Sequence, residues 1–464
     1  MKNIAKVWRS STAFLLSAFS FLILITSCSN ELDEALQPAG NGTLQFVVSD
    51  FPTFGEDAQT RAVGTQDEGK TAWENGDQIF VSLTSQRYGT QTAALIYDGI
   101  SWSTEASLSY LENETPSISV IYAPCYEVTE EGTMQLRSGM QPGMTEYLSG
   151  NYEIENGIMT ITFNGAIRNY SRLRIAGLAN QTLTVTTTDF TPAGTPEVST
   201  AAYTLTTDNN GNAFLYGVFA EGASVSVKQG DVTLKDYTFT AEKNPGGTEH
   251  NKSYALDATP VIDGTLGGKT EATEEEVNAL VQQLKEYVDN GITTIIVPGS
   301  QPATIDVGSW VNTAIGEAIY RLSGSDDYDE NHPYNGKIDL ILPDVTEIFN
   351  QEFYSAWALN SITLPKVTTI GDQAFHRTWF LKTITFGSVI TEVNETGGVM
   401  FAQVGREVGG CNLFINCGQM NESNVPAPDL TNNIWKFKFE NEFKSITLTH
   451  TGENSECDEC KANQ

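Results

Sequence analysis

The chain has 464 residues, with 26 Lys plus Arg against 58 Asp plus Glu and a formal charge of −32. That sign argues against nucleic acid or any polyanion held on a basic face, and no Lys/Arg cluster offsets it. Hydrophobic residues make up 40%, enough for separate buried cores in two to four domains.

Lys2, Lys6 and Arg9 precede an apolar run, Ala13 to Ile25, that ends in Ile25-Thr26-Ser27-Cys28. A basic head, a short apolar core and small residues describe a secretory signal peptide over 1–27. The run falls short of the about 20 residues that span a bilayer. The stretch resembles a bacterial lipobox, which implies that Cys28 becomes the lipid-carrying first residue of the mature chain. The plain alternative is a secretory signal with a coincidental cysteine. Removing 1–27 takes away three basic residues and no acid, leaving 23 basic against 58 acidic residues, a charge of −35. No later run is long enough to span a bilayer, so the lipid is expected to be the anchor. Polar residues 28–42 then read as a tether.

Residues 43–258 read as β-structure. Leu44-Phe46-Val48, Met159-Ile161-Phe163, Leu183-Val185, Val225-Val227, Val232-Leu234 and Tyr237-Phe239 alternate with period two, the mark of strands with one buried face. Asn156-Gly157, Asp208-Asn-Asn-Gly211 and Gly230-Asp231 supply turns between them. Many short strands with Gly/Asn punctuation predict two sandwiches, 43–150 and 151–258. Residues 259–272 read as a linker.

A helix follows over 273–290. Thr273 can cap it with Glu276 as capping-box partner, Val277, Leu280, Val281, Leu284 and Val288 fall on one face, and Asn290-Gly291 closes it. Then comes a repeat. Leu342-Pro-Asp-Val-Thr-Glu-Ile348 recurs as Leu364-Pro-Lys-Val-Thr-Thr-Ile370, a spacing of 22. Phe353/Phe375, Trp357/Trp379, Leu359/Leu381 and Ile362/Ile384 keep the same spacing. A third copy starts at Thr383-Ile-Thr-Phe386, then loosens: Val393 is one place late and Phe401 four. Ile295-Ile-Val-Pro298 and Ser445-Ile-Thr-Leu448 look like further strands of the stack. One short strand per unit in the low twenties is the signature of a leucine-rich solenoid, here over 273–450 with the helix as its cap and 451–464 as a tail.

Two family resemblances have residues behind them. Leu359 to Phe375, with its I-x-L-P strand, I-G turn and A-F start of a short helical segment, resembles the BspA-type leucine-rich repeat; Phe349 and Glu352 depart from the pattern where the next copy has Gly371 and Ala374. Thr60-Arg61-Ala62, Trp73-Glu-Asn-Gly-Asp-Gln-Ile79, Trp102-Ser103 and Gly211 to Ala220 resemble a fimbrillin-like (Mfa-like) domain. That resemblance implies two transthyretin-like sandwiches behind a lipoprotein signal. In stalk members, cleavage after an arginine frees a groove for a neighbour's strand. Arg61 stands where that cut would fall, and its plain reading is a loop arginine. The C-terminal repeats depart from stalk pilins and leave no obvious donor strand.

Catalytic and metal signatures are absent from the sequence. The four histidines form no H-E-x-x-H, and neither a G-x-S-x-G elbow nor a P-loop is present. The chain is therefore expected not to be an enzyme and to need no cofactor or metal. Cys411-x5-Cys417 and Cys457-x2-Cys460 would make a poor zinc set, the first pair being wide, so disulfides or free thiols are the simpler reading. Ser323 to Gly336 reads as an acidic, solvated insertion without EF-hand spacing. Trp357 and Trp379, one repeat apart, admit two readings. They form an exposed strip for a sugar face or a protein partner, or they fold over the edge of the stack and pack. The expectation is a surface-exposed, outer-membrane-tethered lipoprotein acting in adhesion or recognition of glycan or protein partners through its repeats. The alternative is a fimbrial tip or assembly subunit that exchanges strands after cleavage at Arg61.

Overall fold

The structure, a computed structural model, describes residues 44–52, 70–110, 114–163, 168–195, 197–299, 303–305, 311–324, 328–393, 400–416 and 443–449. Cys28, Arg61, Cys417, Cys457 and Cys460 lie outside the described residues, as do 1–27 and the acidic pair Asp326 and Asp327. No helix among the described residues is long and apolar enough to cross a membrane.

The first region holds β1 (Gln45–Val48), β2 (Gln78–Ser85), β3 (Gly89–Tyr97), β4 (Trp102–Ser103), β5 (Ser117–Tyr122), β6 (Tyr126–Val128), β7 (Met134–Leu136), β8 (Leu148–Glu155) and β9 (Ile158–Thr162). Seven of them form one sheet in the order β1-β9-β8-β5-β2-β3-β4, while β6 and β7 pair as a hairpin. β8 changes partner part-way. Leu148–Gly150 pair with β5 and Asn151–Glu155 with β9, so the sheet bends there around one core. Asn156 and Gly157 both take positive φ and close the β8–β9 hairpin, as their sequence predicted.

The Trp73-to-Ile79 motif now has a geometry. Trp73 lies edge-on against Phe51, Trp102, Tyr122 and Phe163, with its indole N–H donating to Ser49 O at 2.8 Å. Gly76 turns the chain at φ 94°, and the Asp77 carboxylate accepts the Glu74 N–H at 2.7 Å before β2 begins.

The second region holds β10 (Ser171–Ala176), β11 (Thr182–Pro192), β12 (Ser199–Thr206), β13 (Asn212–Phe219), β14 (Ser224–Gln229), β15 (Val232–Thr238) and β16 (Ser253–Asp257). These make a second seven-stranded sheet, β15-β14-β11-β13-β10-β16, with β12 also on β11. β11 works as β8 does: Thr182–Thr187 pair with β12 and Thr184–Thr187 with β14, and Phe190–Pro192 pair with β13 beyond a break at Asp189, whose φ is 48°. The expected division at 150 is corrected. β8 runs through that point and β9 belongs to the first sheet, so the two regions part after Phe163. Hydrophobic alternation finds strands, but it does not say which sheet completes itself with them.

The third region holds β17 (Glu271–Ala272), α1 (Glu274–Asp289), β18 (Thr294–Ile296), β19 (Thr304–Ile305), α2 (Ala314–Leu322), β20 (Ile338–Ile341), β21 (Glu347–Ile348), β22 (Leu359–Leu364), β23 (Thr369–Ile370), β24 (Thr383–Phe386), β25 (Glu392–Val393), β26 (Cys411–Asn416) and β27 (Phe443–Thr449). β18-β20-β22-β24-β26-β27 form a six-stranded, wholly parallel sheet, and β21-β23-β25 a smaller parallel one. Between them run stacked rows of buried side chains: Leu340, Ile362, Ile384 and Leu413, then Ile348 and Ile370. Phe353, Phe375 and Phe401 stack with centroids 5.7 and 5.5 Å apart. Phe401 thus rejoins the ladder although it is four residues late.

α1 has the expected capping box at Thr273, and it buries Val277, Leu280, Leu284 and Tyr287 in the same core. α2, which the sequence reading missed, packs beside it; Arg321 of α2 ties the two helices through Glu274 (2.9 Å), while its Nε donates to Glu317 one turn earlier in α2 (2.6 Å). The supposed linker also joins this region. Ile262 is fully buried, and its N–H donates to Ile296 O at 2.9 Å.

Candidate recognition surface on the repeats

In each repeat strand alternate side chains point into the core and out of it. The inward set is the Leu340–Ile362–Ile384 row. The outward set follows from the register: Thr294, Asp339, Ser361, Thr383, Asn412 and Ser445 stand side by side across the sheet. Ile296, Ile341, Thr363, Thr385, Phe414 and Thr447 make a second row beside it. Five strand intervals at about 4.8 Å make each row about 24 Å long. Hydrogen bonds run along the first row. Ser361 Oγ donates to Asp339 Oδ1 at 2.6 Å, Asn360 Nδ2 donates to the same oxygen at 2.7 Å, and Ser445 Oγ donates to Asn412 Oδ1 at 2.8 Å. Lys382 stands exposed at the margin. The surface is a fixed ladder of hydroxyls, amides and one carboxylate beside a strip of methyl groups and one ring. It can hydrogen-bond an extended polar ligand and pack against its apolar face. The 22-residue period already places Asp339, Ser361 and Thr383 in one row. Asn412 and Ser445 fall past the loosened copy, where counting no longer reaches.

The tryptophans do not belong to that surface, and the exposed strip is corrected. Trp357 is wholly buried and Trp379 is 5% exposed. The rings stack on each other at 5.1 Å, 16° from parallel. Trp357 Nε1 donates to Arg377 O at 2.9 Å and Trp379 Nε1 to Gln403 Oε1 at 3.1 Å, so each buried N–H finds its partner in or beside the next repeat. Tyr328 roofs both rings edge-on, at 5.1 and 4.6 Å, and the Arg406 guanidinium lies 4.5 Å over Trp379. The residue that covers the indoles comes from the acidic insertion that read as a solvated loop. Nothing in the repeat spacing marks Tyr328 for that place, because the loop has no copy elsewhere.

Two departures from the repeat pattern also have a place. Glu352 is fully buried where Ala374 stands one repeat later. It accepts the Phe349 N–H at 2.9 Å and the Thr313 hydroxyl at 3.2 Å, and Thr313 caps α2. Burial pushes its carboxyl up to about 7 against these two favourable bonds. Cys411 is a free thiol facing the core of β26, and burial pushes it up to about 12. Its surroundings are those of a packed residue, not of a metal ligand. Among the described residues, no three His, Cys, Asp or Glu side chains group as a metal site.

Residues 337–401 match the family model of the BspA type leucine rich repeat region (6 copies). The repeats are therefore similar to that family over the three units in which the core ladders are most regular. A crystal structure of a Bacteroides fragilis NCTC 9343 protein, proposed to be a cell adhesion protein, aligns with 47% of this chain and 92% of its own at 13% identity. Its TM-score is 0.26, too low to transfer a fold or a role. Among curated proteins, none matches the chain.

Proposed function

We propose that this chain is a lipid-anchored surface protein that adheres to or recognises glycan or protein partners through the outer face of its repeat sheet. On this reading residues 273–450 form a short leucine-rich solenoid. The two β-regions are fimbrillin-like, transthyretin-like sandwiches that hold it away from the outer membrane. Cys28 carries the lipid, and no catalysis, cofactor or nucleic acid is involved. The observation that supports it is the pair of unbroken outward rows from Thr294 to Ser445 and from Ile296 to Thr447. A parallel sheet ordinarily has both faces covered, whereas one face of this sheet carries polar side chains in register. Glycan arrays and cell-binding assays with the full chain test it. Ser361→Arg and Thr383→Arg should abolish binding while leaving the thermal melt unchanged. Binding that survives both substitutions places the ligand elsewhere.

The fimbrial alternative draws support from β1, which stands at the end of its sheet with β9 as its ladder partner. A cut after Arg61 would separate that strand from the rest and leave the β9 edge open to a strand from another subunit. N-terminal sequencing of protein taken from cells separates the readings. A lipidated start at Cys28 favours the stand-alone adhesin, and a start at Ala62 favours the pilin.

A further inference from the structure

Where the first two β-regions meet, a cleft of about 630 Å³ opens. Its walls come from both. Tyr147 and Ser149 belong to the first region, while Asn169, Tyr170, Thr195 and His250 approach from the second. The volume falls in the range of small-molecule sites, which favour domain junctions.

Hydrogen bonds join the two regions outside the cleft lining. The Tyr216 N–H donates to Gly143 O at 2.7 Å and the Gln141 side chain to Ala202 O at 3.1 Å, bridging the two regions. Gly194 lets Tyr147 come close. A Cβ there would stand 2.3 Å from the ring, and its φ of 82° suits glycine. Next to the cleft, buried Glu146 accepts from Arg168 Nε at 2.9 Å and from the Tyr170 hydroxyl at 3.1 Å. That ion pair fixes the Tyr170 wall and already has its partners.

The lining selects the ligand. Among the described residues, no Asp, Glu, Lys or Arg side chain lines it. A phosphate, sulfate or carboxylate entering the cleft would lose water and meet neither lysine nor arginine among these lining residues, inside a chain of formal charge −32. A wholly apolar ligand would strand the hydroxyls, amide and imidazole. A neutral saccharide meets both demands. Its hydroxyls can pair with Ser149, Asn169, Thr195 and His250, and its C–H face can pack on half-buried Tyr147, the buried Tyr170 serving as backing. We infer that this junction cleft is a second binding site, distinct from the repeat surface, that takes a short neutral saccharide.

Saturation-transfer NMR on the purified full chain tests this, with methyl glycosides of glucose, galactose, mannose and N-acetylglucosamine and their disaccharides as probes. At least one neutral probe should bind. His250→Ala and Asn169→Ala, both at exposed positions, should each weaken it about tenfold, the worth of one lost hydrogen bond. Ser149→Trp, which fills the cleft from an exposed strand position, should abolish it with the melting temperature unchanged. Ser361→Arg on the repeats should leave it intact. The inference is overturned if no neutral probe binds, if sialylated or sulfated probes bind as well as neutral ones, if binding persists in Ser149→Trp, or if Ser361→Arg removes it.

Discussion

Burying Glu352 sets a measurable pH dependence on the stability of the repeats. Its carboxyl titrates near 7 in the folded chain against an ordinary value of 4.5, with desolvation as the dominant cause. Between those values the folded state keeps a proton that the unfolded state has lost. Stability therefore falls as pH rises through the window. The difference corresponds to about 3 kcal/mol, present in full below the lower value and lost above the higher one. Glu352→Gln removes the titration while keeping the shape. Its amide oxygen can accept the Phe349 N–H, and its NH₂ can donate to Thr313 Oγ, the two contacts the carboxyl makes now. The assay is urea unfolding of both proteins from about pH 4 to about pH 8, followed through the near-UV signal of the Trp357–Trp379 stack. The two should agree at the acid end, and the glutamine variant should lead by about 3 kcal/mol at the basic end. Parallel profiles, or a glutamine variant that is weaker at every pH, would refute the burial argument.

Trp357→Ala removes the largest of the fully buried side chains and should cost about 4 kcal/mol in a urea titration; a loss under about 1 kcal/mol would mean the ring is not core. Tyr328→Ala should leave the fold intact but raise acrylamide quenching of tryptophan fluorescence, because Tyr328 roofs both indoles. Thr273→Ala deletes the bond that the Thr273 hydroxyl accepts from the Glu276 N–H in the α1 capping box and should cost about 1 kcal/mol, visible as faster amide exchange in the first turn, with Thr273→Ser restoring protection. Gly371→Ala sets a Cβ 2.4 Å from the backbone N of Asn350, where nothing flexible can yield. It should destabilise the repeats by about 1–3 kcal/mol, read as a lower thermal midpoint.

Local chemistry made much of this molecule legible from its residues alone. Thr273 and Glu276 lie three apart, so the helix start was visible; Asn156-Gly157 tolerates the positive φ its hairpin needs. The 22-residue period gave the Phe353–Phe375 ladder and the core rows, because identical units stack in register and repeat their contacts. What the period could not give is anything that occurs once. Tyr328 covers the Trp357–Trp379 pair from an unrepeated insertion, so exposure of those rings was decided by packing. Ile262 looked like linker until β18 paired with it, and β9 looked like the second sandwich until β8 claimed it. Strand partnership across tens of residues depends on which open edge and which apolar face remain to be covered, and that is settled only when the whole chain has closed on itself.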